Sequence, residues 1–299
     1  GFKTYIYSCS NNISFLSDLI STFQLVFLIK RIDPDIIHSF DTKPNYLVAL
    51  ALFFINKKII YIRTINGLGR VFSSNTIQNQ FIKKIYLFLH KIIKRKVDLN
   101  IFQNKSDKKF YIKNKLCDLN NSSIVKGSGI SIELSTKVLK NNSRQILRQK
   151  YDWENKVIFL FLSRLSVKKG IFNFINAAKS IKRRYSNVQF IVVGPTSEID
   201  PSSISHLELE KHSNYIDYLG YRRDVFDILS AVDVYVLPSE YKEGIPRTLL
   251  EAMAMGKMVV VSDVNGCKEV VEEAKCGIIF ESKNYEKLVE SLEKCLDCN

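Results

Sequence analysis

Unbroken runs of Ile, Val, Leu and Phe alternate with amphipathic stretches along most of this chain, and this alternation constrains its fold more than any other feature. In order come KTYIYS, residues 13–30, DIIHSF, residues 45–56, KIIYIRT and residues 76–96. An apolar run without polar interruption suits a strand covered on both faces, and a 3.6-residue periodicity suits a helix with one buried side. After a polar stretch at 135–149 the pattern restarts with KVIFLFLSRL, residues 173–185, VQFIVVG, YIDYLG, residues 225–231, DVYVLPS, residues 248–255, KMVVVSD and residues 284–296. The polar stretch lacks a strand pattern, so the domain boundary is expected there. The prediction is α/β: two doubly wound domains, 1–140 and 150–299, facing a cleft, with ligands beyond the carboxyl ends of the strands.

Charge separates the halves. Residues 1–150 carry 25 Lys+Arg against 8 Asp+Glu, and residues 151–299 carry 19 against 22, so the net +14 belongs to the first half. Such a half suits an anionic partner, whether phospholipid, lipid-linked diphosphate or nucleic acid, or is simply a solubilising Lys-rich surface. No nucleic-acid recognition motif accompanies it. Residues 81–97 predict a helix with Phe81, Ile85, Phe88 or Leu89, and Ile92 on one face and Lys83, Lys84, Lys91, Lys94 and Arg95 around the rest. That pattern fits a core helix with a solvated side, or a face resting on an anionic bilayer. No run reaches the roughly 18 to 20 apolar residues of a membrane span, and residues 1–10 lack a signal-peptide pattern, so a soluble or peripheral protein is expected. The six cysteines match neither a disulfide framework nor a metal knuckle and read as reduced thiols; Cys295 and Cys298 form a C-x-x-C with no second pair. Asp33 and Asp35 flank a proline where a helix gives way to a strand, so they are not read as metal ligands.

The chemistry concentrates in two segments. EGIPRTLLE puts Glu243 and Glu251 eight positions apart around a helix start. Gly244 permits a tight turn, Pro246 suits the first helical position, and the N–H groups from Gly244 and Ile245 onward would face an anion. Glu251 is suited to accept from ribose hydroxyls and Glu243 from sugar hydroxyls. SRLSVKKG puts Arg164 just after an apolar strand and Lys169 just before a glycine that opens the next helix. A planar guanidinium and a mobile ammonium together match a diphosphate. The bland alternative is a capped helix with surface acids and salt-bridged cations.

The pair of segments resembles the G-R-L-x-x-x-K-G and E-x7-E signatures of the family 4 retaining glycosyltransferases. The likeness runs from about residue 156 to 280 and includes VVGP, YLGYRRDV, AVDVYVLPSEYKEG and DVNGCKEVVEEAKCGIIF. It implies a GT-B fold, a nucleotide-diphosphate sugar donor in the second domain, retention of anomeric configuration, and no metal or other cofactor. By motif position, Arg164 and Lys169 would bind the diphosphate, Glu251 the ribose, and Glu243, Gly244 and Ile245 the transferred sugar and phosphates. Gly194, Pro195, Gly220, Tyr221 and Arg222 would border the nucleobase. Ser163 stands where the family usually has glycine.

In the first half, PDIIHSFDTKPN, TINGLGRVFSS and the later KGSGIS look like the bacterial subgroup that extends polyprenyl-diphosphate-linked sugars in surface glycan assembly. The resemblance implies a UDP-hexosamine or UDP-hexose donor, a lipid-linked acceptor, and peripheral attachment at the cytoplasmic face of the membrane. Asn66, next to Gly67, aligns where many members place a cleft histidine; His38 reads as a structural histidine. GFKTYIYS resembles the family's second strand, and no terminal crossing helix follows residue 296. These departures allow an alternative reading, a donor-binding but inactive fragment or pseudo-transferase.

Overall fold

In the computed structural model, which describes residues 2–9, 15–68, 72, 77–196, 202–240 and 244–297, the chain divides into two units, Gly1–Lys126 and Gly127–Asn299. Unit 1 runs α1 (Phe15–Ile32), β1 (Ile36–Phe40), α2 (Thr42–Ala51), β2 (Ile60–Ile65), α3 (Ile77–Ile93), β3 (Leu99–Phe102), α4 (Lys105–Lys113) and β4 (Ser122–Ile124). Its four strands are parallel and lie in chain order. Right-handed crossovers between successive neighbours put their helices on one face. Accordingly Tyr61, Arg63 and Ile65 of β2 are buried, while Ile36, Phe40 and Ile60 point the other way and are exposed.

Two expectations for this unit change. Residues 3–8 form no strand; the Ser8 N–H donates to Gln24 Oε1 at 2.7 Å and Ser21 Oγ donates to the Ser8 carbonyl at 2.5 Å, tying the segment to α1 instead. The inward side of α3 is Tyr86, His90 and Ile93, one position off the predicted stripe, and Phe81 and Phe88 are exposed. β3, short and polar, is not among the expected strands; it buries Asn100, which accepts a hydrogen bond from Arg63 Nε at 2.6 Å.

Unit 2 runs α5 (Ile132–Lys140), α6 (Ser143–Lys150), β5 (Val157–Leu162), α7 (Ile171–Lys182), β6 (Val188–Val193), α8 (His206–Glu210), β7 (Asp217–Tyr218), α9 (Val225–Ala231), β8 (Val234–Leu237), α10 (Arg247–Ala254), β9 (Met258–Ser262), α11 (Asn265–Ala274), β10 (Gly277–Phe280) and α12 (Tyr285–Asp297). The sheet order is β10-β9-β8-β5-β6-β7, all parallel. This is the doubly wound order, in which the unit's first and fourth strands are neighbours. Alternate residues of β5 serve opposite cores. Phe159 and Phe161 pack with Phe174, Phe190, Leu288 and Leu292; Ile158, Leu160 and Leu162 pack with Leu229, Leu249 and Val271. Burial on both faces is why this strand reads as one continuous apolar run.

The boundary expected within 135–149 lies earlier, and that stretch forms the helices α5 and α6 of unit 2. Polar α6 is anchored by arginine rather than by a broad apolar face. Arg148 donates to the carbonyls of Trp153 at 2.7 Å and Lys156 at 2.6 Å and pairs with Asp233 at 3.1 Å, while Leu147 is buried.

Candidate functional site

Because every strand of unit 2 is parallel, all carboxyl ends share one edge, and the winding direction changes between β5 and β8. The crevice at such a point is where open α/β sheets hold ligands. Two segments leave it, 163–170 after β5 and, among the described residues, 238–240 and 244–246 after β8. They are stitched together: the Glu240 N–H donates to the Lys168 carbonyl at 2.9 Å, and Ser239 Oγ reaches the same oxygen at 3.4 Å. Gly170 has φ 82°, and a Cβ there would stand 1.9 Å from the Pro238 carbonyl oxygen, so only glycine permits this approach. Asn173, one turn into α7, donates to Glu240 Oε1 at 3.2 Å.

The neighbouring strand ends close up in the same way. Gly194, after β6, has φ 151°, and a Cβ there would meet the Ser163 carbonyl oxygen at 1.8 Å. Only glycine at 194 therefore permits this approach of the two strand ends. The Gly194 N–H donates to the Gly220 carbonyl at 3.0 Å, Tyr218 Oη donates to the Gly194 carbonyl at 2.9 Å, and the Leu165 N–H donates to the Pro195 carbonyl at 3.2 Å. Gly194, Pro195 and Gly220 therefore lie on the edge beside the loop that carries Arg164 and Lys169.

Arg164 is exposed and forms no ion pair among the described residues. Lys169 is half-buried in the turn that opens α7. On the other loop Gly244 and Ile245 are buried, and Pro246 occupies the extended N-cap position of α10, one residue before the predicted place. Glu243 lies outside the described residues. Glu251, 6% exposed, sits just over one turn into α10, and its Oε1 accepts from Arg247 Nε at 2.9 Å. Burial raises its pKa and the adjacent Arg247 opposes that rise. Only one carboxylate oxygen is engaged by Arg247.

Two of the expected nucleobase neighbours differ in kind. Tyr221 is 65% exposed. Arg222 is committed within the fold, forking onto Asp224 with contacts of 2.8 and 2.5 Å and reaching Tyr151 Oη at 3.1 Å. Its pairing with Asp224 raises its pKa and lowers that of the carboxyl. In unit 1, Asn66 and Gly67 follow β2, Gln103 Nε2 donates to Asn66 Oδ1 at 3.2 Å, and His38 Nε2 is hydrogen bonded to Thr64 Oγ1 at 2.8 Å. Arg247, Asn173 and Glu240 escaped the sequence reading; of these Arg247 was findable, since it precedes Glu251 by four residues on a helix. Among the described residues, no three or more His, Cys, Asp or Glu side chains gather as a metal site, and no helix is long and apolar enough to cross a membrane.

Comparison with known proteins sharpens the picture. Residues 143–299 match the family described as glycosyl transferases group 1, and residues 3–104 match glycosyl transferase 4-like. The N,N'-diacetylbacillosaminyl-diphospho-undecaprenol alpha-1,3-N-acetylgalactosaminyltransferase of Campylobacter jejuni is 29% identical over 305 residues, spanning 99% of this chain and 77% of that protein. The UDP-Gal:alpha-D-GlcNAc-diphosphoundecaprenol alpha-1,3-galactosyltransferase of Escherichia coli is 25% identical over 297 residues, spanning 98% and 74%. Among solved structures, Anabaena HepE in complex with UDP superposes with a TM-score of 0.77 at 21% identity, over 96% of this chain and 75% of that one. Sucrose-phosphate synthase of Thermosynechococcus elongatus does so at 0.76 and 18%, over 95% and 69%. These likenesses give the fold, two parallel-sheet α/β units of the GT-B type.

Proposed function

The chain belongs to the glycosyl transferases group 1 family and is a glycosyltransferase, and on that premise we propose that it moves a sugar from a UDP-linked donor to a sugar carried on polyprenyl diphosphate, with retention of configuration. The observation that carries the donor half of this reading is the crevice edge of unit 2. There a loop with Arg164 and Lys169 is stitched to the loop that leads into the Glu251 helix.

In this reading Arg164 and Lys169 neutralise the leaving diphosphate, and the main chain at Gly244 and Ile245 steadies its oxygens. Glu251, held through one oxygen by Arg247, offers the other to the ribose hydroxyls. Gly194, Pro195, Gly220 and Tyr221 border the base; Arg222 shapes that border through Asp224 instead of binding directly. Glu243 takes the sugar hydroxyls. As the diphosphate departs, the sugar becomes oxocarbenium-like, and the acceptor hydroxyl arrives on the same face and gives its proton to the leaving phosphate oxygen. Catalysis is then positioning and charge stabilisation.

The acceptor class is supported by the names of the Campylobacter and Escherichia relatives. Contact with an anionic membrane is supported by the basic first half and by a stripe on α3, where Phe81, Lys84, Phe88, Lys91 and Arg95 at the helix end are all exposed. Bacterial membranes incubated with the protein and radiolabelled UDP-hexoses and UDP-N-acetylhexosamines test the reading. Label passing from one donor into the solvent-extracted lipid fraction is expected; label in none of them would refute it.

A further inference from the structure

On the opposite edge of the unit 2 sheet, where the strands begin, a cavity of about 580 Å³ is lined by Arg144, Asp233, Met253, Lys257, Met258 and Cys276, among others. Two arginines pair with one carboxylate there, and a lysine stands beside them. Asp233 is shared by Arg144 at 2.8 Å and Arg148 at 3.1 Å, and its Oδ2 also accepts the Ile158 N–H at 2.9 Å. Lys257 pairs with no carboxylate among the described residues. Its Nζ donates to the Ser230 carbonyl at 3.0 Å, the same oxygen that receives Arg144 Nη1 at 2.9 Å. An amine and a guanidinium are thus held side by side on one acceptor. Arg144 Nη1 also donates to the Val232 carbonyl at 3.3 Å, and its side chain stays half-exposed at the cavity.

We propose that Lys257 is a modification site, a nucleophilic amine that takes an acyl group from an acyl phosphate whose phosphate is held by Arg144. The neutral Nζ attacks the carbonyl carbon and an N–C bond forms. The C–O bond to phosphate breaks, its electron pair leaving on the phosphate oxygen, and the proton lost by nitrogen goes to the released phosphate or to water. The amide product is neutral and relieves the crowding of cations around Asp233.

The surroundings prepare the amine for this chemistry. Burial, then Arg144, lowers its pKa to about 8; Asp233 opposes the fall and Arg148 adds to it. A desolvated lysine beside another cation is the recognised arrangement for an amine nucleophile. Lys287 offers the contrast: it is exposed, and its ion pair with Glu290 raises its pKa.

The full chain treated with acetyl phosphate near neutral pH, followed by peptide mass spectrometry, reads the acetylation rate at each lysine. Lys257 is expected to react about tenfold faster than Lys287. The same comparison with N-acetylimidazole, which has no phosphate for Arg144 to hold, is expected to show a smaller preference. Lys257 reacting no faster than Lys287 with acetyl phosphate overturns the proposal, and so does an equal preference with both reagents. Both arms use the unaltered protein, so neither outcome depends on a variant folding.

Discussion

At the scale of single residues, the candidate donor edge depends on two glycines, Gly170 and Gly194, that let main chain touch main chain; Gly256, away from that edge, serves as a control. Gly170 and Gly256 both have positive φ, 82° and 66°, but an added Cβ meets the Pro238 oxygen only at Gly170 and finds open space at Gly256. Gly170→Ala is therefore expected to lower stability by about 2 kcal/mol more than Gly256→Ala in urea denaturation, since the backbone strain is common to both and the clash is not. Equal losses would show that the two loops can part at no cost. The positions of Arg164 after a strand, Lys169 before a helix and Glu251 within one could be read from the sequence, because each stands at a fixed offset from a strand end or helix start; Glu243 lies outside the described residues. The pairing of Arg222 with Asp224 was not legible, because sequence alone does not reveal which nearby carboxylate a guanidinium engages.

At the scale of elements, unit 1 is pinned where β2, α3 and β3 meet. Buried Arg63 donates to Asn100 Oδ1, to the Leu116 carbonyl at 2.9 Å and to His90 Nδ1 at 2.9 Å. A guanidinium only donates, so Nδ1 must be the acceptor and His90 the neutral Nε2–H tautomer. Burial, then the neighbouring Arg63 charge, lowers the His90 pKa well below its ordinary value. A histidine whose pKa is lowered on folding takes up its proton first in the unfolded chain. Its contribution to stability is therefore complete above about pH 6.5 and declines as pH falls below that value. Proton NMR is expected to find the His90 ring still neutral at pH 5.5; titration near 6.5 would contradict the network.

The same scale shows which elements can be read from sequence. β5 declares itself because both faces are buried. β3 and β4 do not, since LNIF and SSI are short and carry polar residues that the fold satisfies through Arg63, Asn121 and Lys108. Helix α6 was mistaken for a boundary because its hold on the domain is made of arginine hydrogen bonds, which leave no periodic apolar trace.

For the whole molecule, the two sheets and their parallel winding were legible in the succession of apolar runs, and the charge division was plain in the counts. The unit boundary was not, because it falls at Lys126–Gly127 in a short connection without a marked change of composition. The basic first half predicts sedimentation with vesicles containing phosphatidylglycerol but not with pure phosphatidylcholine, lost on raising salt because exposed charge is screened. Phe88→Ala, which removes an exposed ring without touching the core, is expected to weaken that binding severalfold. Equal binding to both vesicle types would remove the membrane from the account.

The central claim is that the loop after β5 and the helix after β8 hold one nucleotide diphosphate. Calorimetric titration with UDP of the unaltered chain, Arg164→Ala and Glu251→Gln tests it most directly. Each lost charge-assisted contact is expected to weaken binding by about tenfold to a hundredfold. Affinity unchanged in both variants would contradict the claim.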